Sequence, residues 1–497
     1  MAALFPDPSA PQAPNSARPL GPDSLAERGL EHWLTSLLMV LSLSWALLPA
    51  GLSWDFGNEG EANLRDGNFI IQLQWSSLFL IAGVVCLRRF LRFQAVVSGL
   101  NPFLLALFVY CLLNISWSLL PLVTMKKVIQ FGGLLMIGVA FQVSEMSHTR
   151  WLKLTVGTLL LFQVASLFAV VLIPDIAIEY TGIANGAWQG GAWRGVTDQK
   201  NNYGILNAFA AMAWVALFCT PKTRLSALLF VLMLGFCGVN LVMSKSTTSL
   251  LVTVMGIGFF LLFRWKYVAS EFVTSRVLVV LACLLVVYLH ALYVVQGRLP
   301  TWDEFFKPVA DLLGKSTDIS GRFEIWDLVL QEIDRHRWQG IGYGAFWLGK
   351  GSASQPIIDH MYWVPFQAHN GYLDVLNELG GMGLLLFTGF LVYHLLSLYR
   401  LSRFDASEAA FHGALIAVIL VHNATESSFL RGVNFLAILV IFSSIAVNSS
   451  LRRHQQAALL GRPATAPSPG PGPAPTAWAA QNGFRPGTPN SERPPGH

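Results

Sequence analysis

The sequence predicts an all-α integral membrane protein of about twelve transmembrane helices with one large loop on its outer face. Three observations carry this. Only 12% of the 497 residues are charged and 54% are hydrophobic, whereas soluble domains are roughly 25% charged. Apolar stretches recur at close to the ~20 residues that a helix needs to cross a bilayer. No ten-residue segments of alternating polarity, the signature of a membrane barrel, interrupt them.

In chain order, residues 1–30 are rich in Pro, Ala, Ser and Asp and lack the basic start and short apolar core of a cleavable signal. They read as a disordered cytoplasmic tail. Nine spans are expected within 31–296, at roughly 33–53, 69–87, 101–121, 128–146, 152–173, 203–220, 225–243, 249–264 and 277–296. Residues 297–379 form the large outer loop, and three further spans, 380–399, 411–430 and 432–448, complete the transmembrane part within 380–448. From 449 to 497 the composition turns to Pro, Gly and Ala, again a tail without a fold of its own. Cys86, Cys111, Cys219, Cys237 and Cys283 all sit inside apolar stretches, so they read as small core residues and not as a disulfide or zinc pattern.

Basic residues fix the orientation, because loops that stay in the cytoplasm keep their Lys and Arg. Arg88, Arg89, Arg92, Lys222, Arg224, Arg264, Lys266, Arg400 and Arg403 share one side if both termini are cytoplasmic. Lys126, Lys127, Arg194, Lys200, Lys245 and Arg322 then face outward against the trend, and they need a reason. The net charge of +5 is small for this length, and nothing in its distribution points to nucleic acid.

The outer loop contains SGRFEIWDLVLQEIDRHRWQG. Trp326, Val329, Leu330 and Ile333 repeat at helical spacing with Glu324, Asp327, Gln331 and Asp334 opposite, which predicts an amphipathic helix capped by Ser320 and stopped by Gly340. Arg322 then lies in its first turn, where a guanidinium and unpaired backbone N–H groups together suit a phosphate. The plainer alternative is that Arg322 pairs with Glu324, Asp327 or a lipid headgroup. GIGYGAF supplies glycines for a tight turn or a close backbone approach.

His369 lies at or just before the start of another helix, in AHNGYLDVLNELGG, with Asp374 and Glu378 four residues apart on one face. An imidazole at the outer face can take a proton from an attacking hydroxyl; an interfacial histidine also serves purely structural roles. Arg194 and Lys200 precede the sixth span, and Lys245 sits among hydroxyl residues in SKSTTS; snorkelling accounts for such cations equally well. Glu426, expected near the outer end of the eleventh span, must find a partner such as one of these cations.

The ordered set WRGVTDQKNNYG, SKSTTSLL, SGRFEIW, GIGYGAFW, AHNGYLDVLNELG and NATESSF resembles the bacterial O-antigen ligase and exopolysaccharide polymerase superfamily, over roughly residues 100–445. The GRxEIW, GxGYGAFW and AHNGY wording looks most like the exopolysaccharide polymerase branch. The resemblance implies a GT-C-like glycosyltransferase of the bacterial inner membrane that takes glycan from a polyprenyl-diphosphate carrier at the periplasmic face. It implies Arg322 and His369 as the essential pair, with Arg194, Lys200 and Lys245 joining Arg322 on the diphosphate, and Glu426, Asn370 and Glu324 in support. No cofactor and no metal are expected. Expected partners are the lipid-linked oligosaccharide donor, a glycan acceptor and the bilayer, with a chain-length regulator or export complex left open. The rivals are a ligase that moves finished glycan to lipid A-core, a transporter of a lipid-linked oligosaccharide or small anion, and a scaffold for an export complex. A transporter tends to place its charges near mid-membrane on broken helices in repeated halves, whereas the notable charges here gather at one face.

Overall fold

The structure, a computed structural model, describes residues 25–52, 68–180, 182–184, 187–189, 191–220, 225–266, 320–361 and 364–460. It is mostly helical. Before the large loop come α1 (Leu25–Leu47), α2 (Phe69–Arg88), α3 (Phe90–Val97), α4 (Pro102–Asn114), α5 (Pro121–Val143), α6 (His148–Leu172), α7 (Pro174–Ala177), α8 (Lys200–Phe218), α9 (Ala227–Met243) and α10 (Thr247–Lys266). The loop contributes α11 (Ser320–Arg335) and α12 (Gln355–Met361), followed by α13 (Gly371–Leu401), α14 (Ala406–His422) and α15 (Phe435–Leu459). Between α7 and α8 the chain makes two small antiparallel strand pairs, β1 (Ile178–Glu179) with β4 (Ala192–Trp193) and β2 (Gly182–Ala184) with β3 (Ala187–Gln189).

Polar residues set where these helices begin. The Asn68 side chain accepts from the N–H groups of Ile70 and Ile71, Asn101 from Phe103 and Leu104, Ser147 from Arg150, Ser226 from Leu229 and Asp405 from Glu408. Each satisfies a donor that the helix cannot satisfy itself. Helix α8 is buried along nearly its whole length and α15 from Phe435 to Leu451, and the two form the centre. Ala208, Ala210, Ala211, Ala213 and Ala216 on α8 let neighbouring backbones approach closely. The outer helices turn large apolar side chains outward, among them Leu73, Leu80 and Leu87 of α2 and Leu228, Val231 and Val239 of α9, as a bilayer solvent requires.

Six described helices are long and apolar enough to cross a membrane, and α3 with α4, bent by 96°, makes a seventh if the pair is one span. Helices α9, α10 and α14 are apolar but shorter. The third expected span, 101–121, is cut short: α4 ends at Asn114, and Pro121, which cannot continue a helix, starts α5. The eleventh, 411–430, ends early too, because Asn423 turns the chain by accepting through Oδ1 from the N–H groups of Ser428 and Phe429. The ninth, 277–296, lies outside the described residues, as does 297–319 of the large loop.

The amphipathic helix is present from Ser320 but stops at Arg335, five residues before Gly340. Its polar face is as expected, with Glu324, Asp327, Gln331 and Asp334 exposed. Its apolar face is rotated: Ile325, Val329 and Ile333 are buried, whereas Leu330 is exposed. Ile325, Val329 and Ile333 belong to a separate small core with Ile341, Phe346, Trp347, Ile357 and Ala368, so the helix packs on its own loop.

Helix α13 is broken at Gly380, which has φ +66° and ψ −172°. That break frees backbone groups, and the preceding loop and α4 take up several of them. The carbonyl oxygens of Asn377 and Glu378 accept from the N–H groups of Ile341 (3.1 Å) and Gly342 (3.0 Å). The Leu379 carbonyl accepts from the Tyr110 hydroxyl at 3.0 Å. Beyond the break, Gly381 and Met382 donate to the carbonyls of Arg337 and Trp338. A Cβ on Gly380 would lie 2.4 Å from the Trp338 carbonyl carbon, whereas one on Gly381 would meet nothing closer than 3.4 Å. Gly380→Ala should therefore lower the melting temperature sharply, the backbone strain alone costing about 1–3 kcal/mol before the clash, while Gly381→Ala should be mild. Equal melting of the two variants in detergent, followed by scanning fluorimetry, would contradict this account of the break.

Candidate functional site

The connections α4–α5, α7–α8 and α9–α10, the loop leading into α13 and the α14–α15 connection all emerge at one end of the bundle. Two of the six motifs interlock there. The Asn370 side chain caps α13 by accepting from the N–H groups of Tyr372 and Leu373, and its own N–H donates to Ser427 Oγ at 3.1 Å. Gly371 donates to the Asn423 carbonyl at 2.9 Å, and a Cβ on Gly371 would lie 2.1 Å from Asn423 Oδ1, so only glycine allows the approach. The AHNG turn and the NATESS turn thus form one unit. His369 is held within it at φ +51°, a left-handed conformation that costs free energy for a residue with a Cβ and persists only where its surroundings impose it.

At the centre is the buried carboxylate of Glu426. Its Oε1 receives Arg322 Nη2 and Asn201 Nδ2, each at 3.3 Å. Its Oε2 receives Gln367 Nε2 at 3.0 Å and lies 3.2 Å from His369 Nδ1. Arg322 and His369, 47 positions apart in the chain by their numbers (369 − 322), therefore bind the two oxygens of one side chain. Arg322 also donates through Nη1 to the Thr425 carbonyl at 2.6 Å. Trp326, one turn further along α11, donates to the Ala368 carbonyl at 2.8 Å and ties that helix to the histidine turn. Gln367 Nε2 lies 3.2 Å from the same Nδ1; an ionised carboxylate only accepts, so when Nδ1–H of a neutral His369 donates to it, Nε2 is left as the basic nitrogen.

Burial pushes the Glu426 carboxyl upward, but the hydrogen bond and charge of His369 and the charges of Arg322 and His422 outweigh it and hold the group below its ordinary value of 4.5. A carboxyl shifted in this direction contributes stability that is present above pH 4.5 and is lost as the pH falls through its lowered folded value.

Of the residues singled out in the sequence, Arg322, His369 and Glu426 come together and Asn370 adjoins them. Arg322 pairs with Glu426, and not with Glu324 or Asp327. Glu324 points away on the exposed face of α11. Lys200 starts α8 beside Asn201, but its side chain pairs with Glu179 of β1 at 3.5 Å. Arg194 donates through Nε to the Ile176 carbonyl at 2.6 Å. Lys245 stands exposed on the α9–α10 turn at φ +51°. None of these three cations bonds the Glu426 carboxylate.

Sequence reasoning passed over Gln367 and Asn201 as carboxylate partners, and it singled out Asp374 and Glu378 without finding what they pair with. Asp374 accepts from Trp347 Nε1 at 2.7 Å and from the Ala368 N–H at 3.2 Å, and it pairs with Arg431 at 3.8 Å. Glu378 accepts from the Gly344 N–H at 2.9 Å, so the glycine turn spends its donors on α13. The available signal was the i, i+4 spacing of the two carboxylates and the presence of Lys127 among the outward cations; the Lys127 stem packs on Gly344. Gln130 Oε1, Asn377 Nδ2 and His422 Nδ1 are buried without a hydrogen-bond partner among the described residues.

No curated protein matches the chain. Residues 228–388 match the Wzy_C family, described as O-Antigen ligase. The matched segment holds Lys245, Arg322, Glu324, His369, Asn370 and the break at Gly380; Arg194, Lys200 and Glu426 lie outside it. Six described helices long and apolar enough to cross a membrane accord with a multi-pass membrane protein, and the match at residues 228–388 to the O-antigen ligase family supports the O-antigen ligase and polymerase superfamily.

Proposed function

We propose that the protein polymerises polyprenyl-diphosphate-linked oligosaccharide units into exopolysaccharide or O-antigen at the periplasmic face of the inner membrane. Its reading as a GT-C-like bundle of twelve spans with both termini cytoplasmic belongs to the same proposal. One observation supports it above the others: a guanidinium and an imidazole converge on a single buried carboxylate at one end of the bundle.

The transfer forms a bond from an acceptor hydroxyl to the anomeric carbon and breaks the bond from that carbon to the diphosphate, on opposite faces, so the configuration inverts. Negative charge grows on the departing phosphate oxygen. Arg322, in the first turn of α11, already stands where a fixed cation and helix N–H groups stabilise it. Arg194, Lys200 and Lys245 add positive charge on the same end. His369 Nε2 takes the acceptor proton, while Glu426 holds Nδ1 and keeps the ring oriented. Asn370 and Glu324 are assigned to support, the first through its cap. Fixed cations in place of Mg²⁺ stabilise the departing phosphate, so the proposed chemistry asks for no divalent metal.

Arg322→Ala and His369→Ala should each lower transfer by about 10²–10³-fold or more, while the protein still accumulates in the membrane. Arg322→Lys should restore little, because an ammonium cannot span Thr425 and Glu426 together. The assay is purified protein with the lipid-diphosphate repeat unit and no added Mg²⁺, read as chain-length distribution. Full activity in either alanine variant removes that residue from the mechanism. In a deletion strain, long chains left on the carrier would select the ligase reading, and a loss of long chains the polymerase.

Glu426→Gln should cost on the order of 10²-fold in rate by letting Arg322 and His369 drift apart. The stability difference between wild type and Glu426→Gln should also vanish as the pH is lowered well beneath 4.5, where both side chains are uncharged. A stability gap that persists unchanged at low pH would show that the glutamate acts by shape and not by charge.

A further inference from the structure

The other end of the bundle, where α6 and α14 begin and α15 approaches its own end, holds a cluster that the glycan chemistry does not use. His148 opens α6, while Glu408 and His412 lie four residues apart on α14 and so share a face. One imidazole nitrogen from each histidine and one carboxylate oxygen all lie within 4.8 Å of one another. Both ring nitrogens of His148 are buried and have no hydrogen-bond partner among the described residues. An imidazole in that state loses its hydration and gains nothing for it.

We propose that His148, Glu408 and His412 bind one divalent transition-metal ion of the zinc type, which ties α6 to α14. Two imidazoles and a carboxylate are a common protein ligand set for zinc and its neighbours, with water completing the coordination. A tetrahedral ion at ~2.0–2.1 Å from its ligands needs donor atoms roughly 3.3 Å apart, so modest side-chain rotation closes the site.

The surrounding hydrogen bonds are those that a metal site needs. His412 Nδ1 lies 2.9 Å from Ser443 Oγ, and the same hydroxyl lies 3.4 Å from His394 Nε2. If Nδ1–H donates to Ser443, the serine proton passes to His394 and His412 Nε2 is left with its lone pair for an ion. Glu408 Oε2 accepts from Ser450 Oγ at 2.8 Å, which fixes the carboxylate. Both serines are on α15, so the outer hydrogen bonds bring a third helix into the centre. Trp151 and Phe411 rings pack on His412, and Phe411 also on His148, walling the cluster with apolar surface.

The role is structural and separate from transfer, so loss of glycan activity in Arg322 or His369 variants would leave metal binding intact. The test uses full-length protein in detergent, purified without a histidine tag. Metal content by mass spectrometry should be about one zinc-type ion per chain. Chelator-stripped protein should take up one Zn²⁺ or Co²⁺ saturably, with the visible absorption of a low-symmetry cobalt centre. His148→Gln and the isosteric Glu408→Gln should lose stoichiometric uptake, and Ser450→Ala should weaken it roughly 10–100-fold. Chelation should lower the melting temperature of wild type and leave that of Glu408→Gln unmoved. Absence of saturable uptake by stripped wild type overturns the proposal, as does uptake by Glu408→Gln equal to wild type; should His148→Gln fail to fold, those two measurements still decide.

Discussion

The break in α13 is the constraint on which the site end of the molecule depends. Inside a bilayer or a protein core, a helix interruption leaves carbonyl and N–H groups that water cannot reach, and each unsatisfied group is costly. At Gly380 those groups are used as a docking edge for residues 337–342. The loop that carries α11 is thereby fixed against the same helix whose first residue follows His369 and Asn370. Without the break, α13 would present a sealed backbone and the loop would have only side chains with which to find its place. The break is thus what converts a long surface excursion into a rigid support.

On that support, Glu426 decides the relation of Arg322 to His369. A buried carboxylate must be compensated, and here four side chains do so, two on each oxygen. Measured against apolar residues of the same volume such an arrangement contributes little net stability, because desolvation offsets much of the attraction, although removing one partner alone is costly. What it supplies is geometry: the guanidinium and the imidazole are held on the two oxygens of one carboxylate, at 3.3 and 3.2 Å. Part of the Arg322 side chain still reaches solvent, which leaves it able to meet an anion from outside.

Much of this was legible in the sequence, and the failures have physical causes. Hydropathy finds the membrane class because the bilayer imposes it on every span. It misplaces the end of α14, since Phe429 and Leu430 prolong the apolar run although Asn423 has already turned the chain. It takes Leu330 for a buried residue because a helix at a loop's edge has one apolar neighbour and not a full groove; burial follows Ile325 instead. The outward cations were conspicuous through charge alone, and Glu426 through the need of a carboxylate for a partner. Their convergence was not legible, since it depends on Gly371 touching Asn423 and on Trp326 reaching Ala368, contacts between segments far apart in the chain.

Those contacts fix positions across the bundle, but position along it needs something more. Apolar packing between helices is non-directional, and two greasy helices can slide along one another at small cost. Helix α14 runs 17 residues, about 25 Å, from Glu408 at one end to the turn bearing Glu426 at the other. Near its start it is pinned to α15 by His412 on Ser443 and Glu408 on Ser450, and α13 is pinned to α15 by Ser397 on Asn448. Directional bonds of this kind tolerate a displacement of only a few tenths of an ångström. The height at which Glu426 meets Arg322 is therefore held from both ends of α14, by these pairs at its start and by Gly371 on Asn423, Asn370 on Ser427 and Tyr372 on Leu420 at its end.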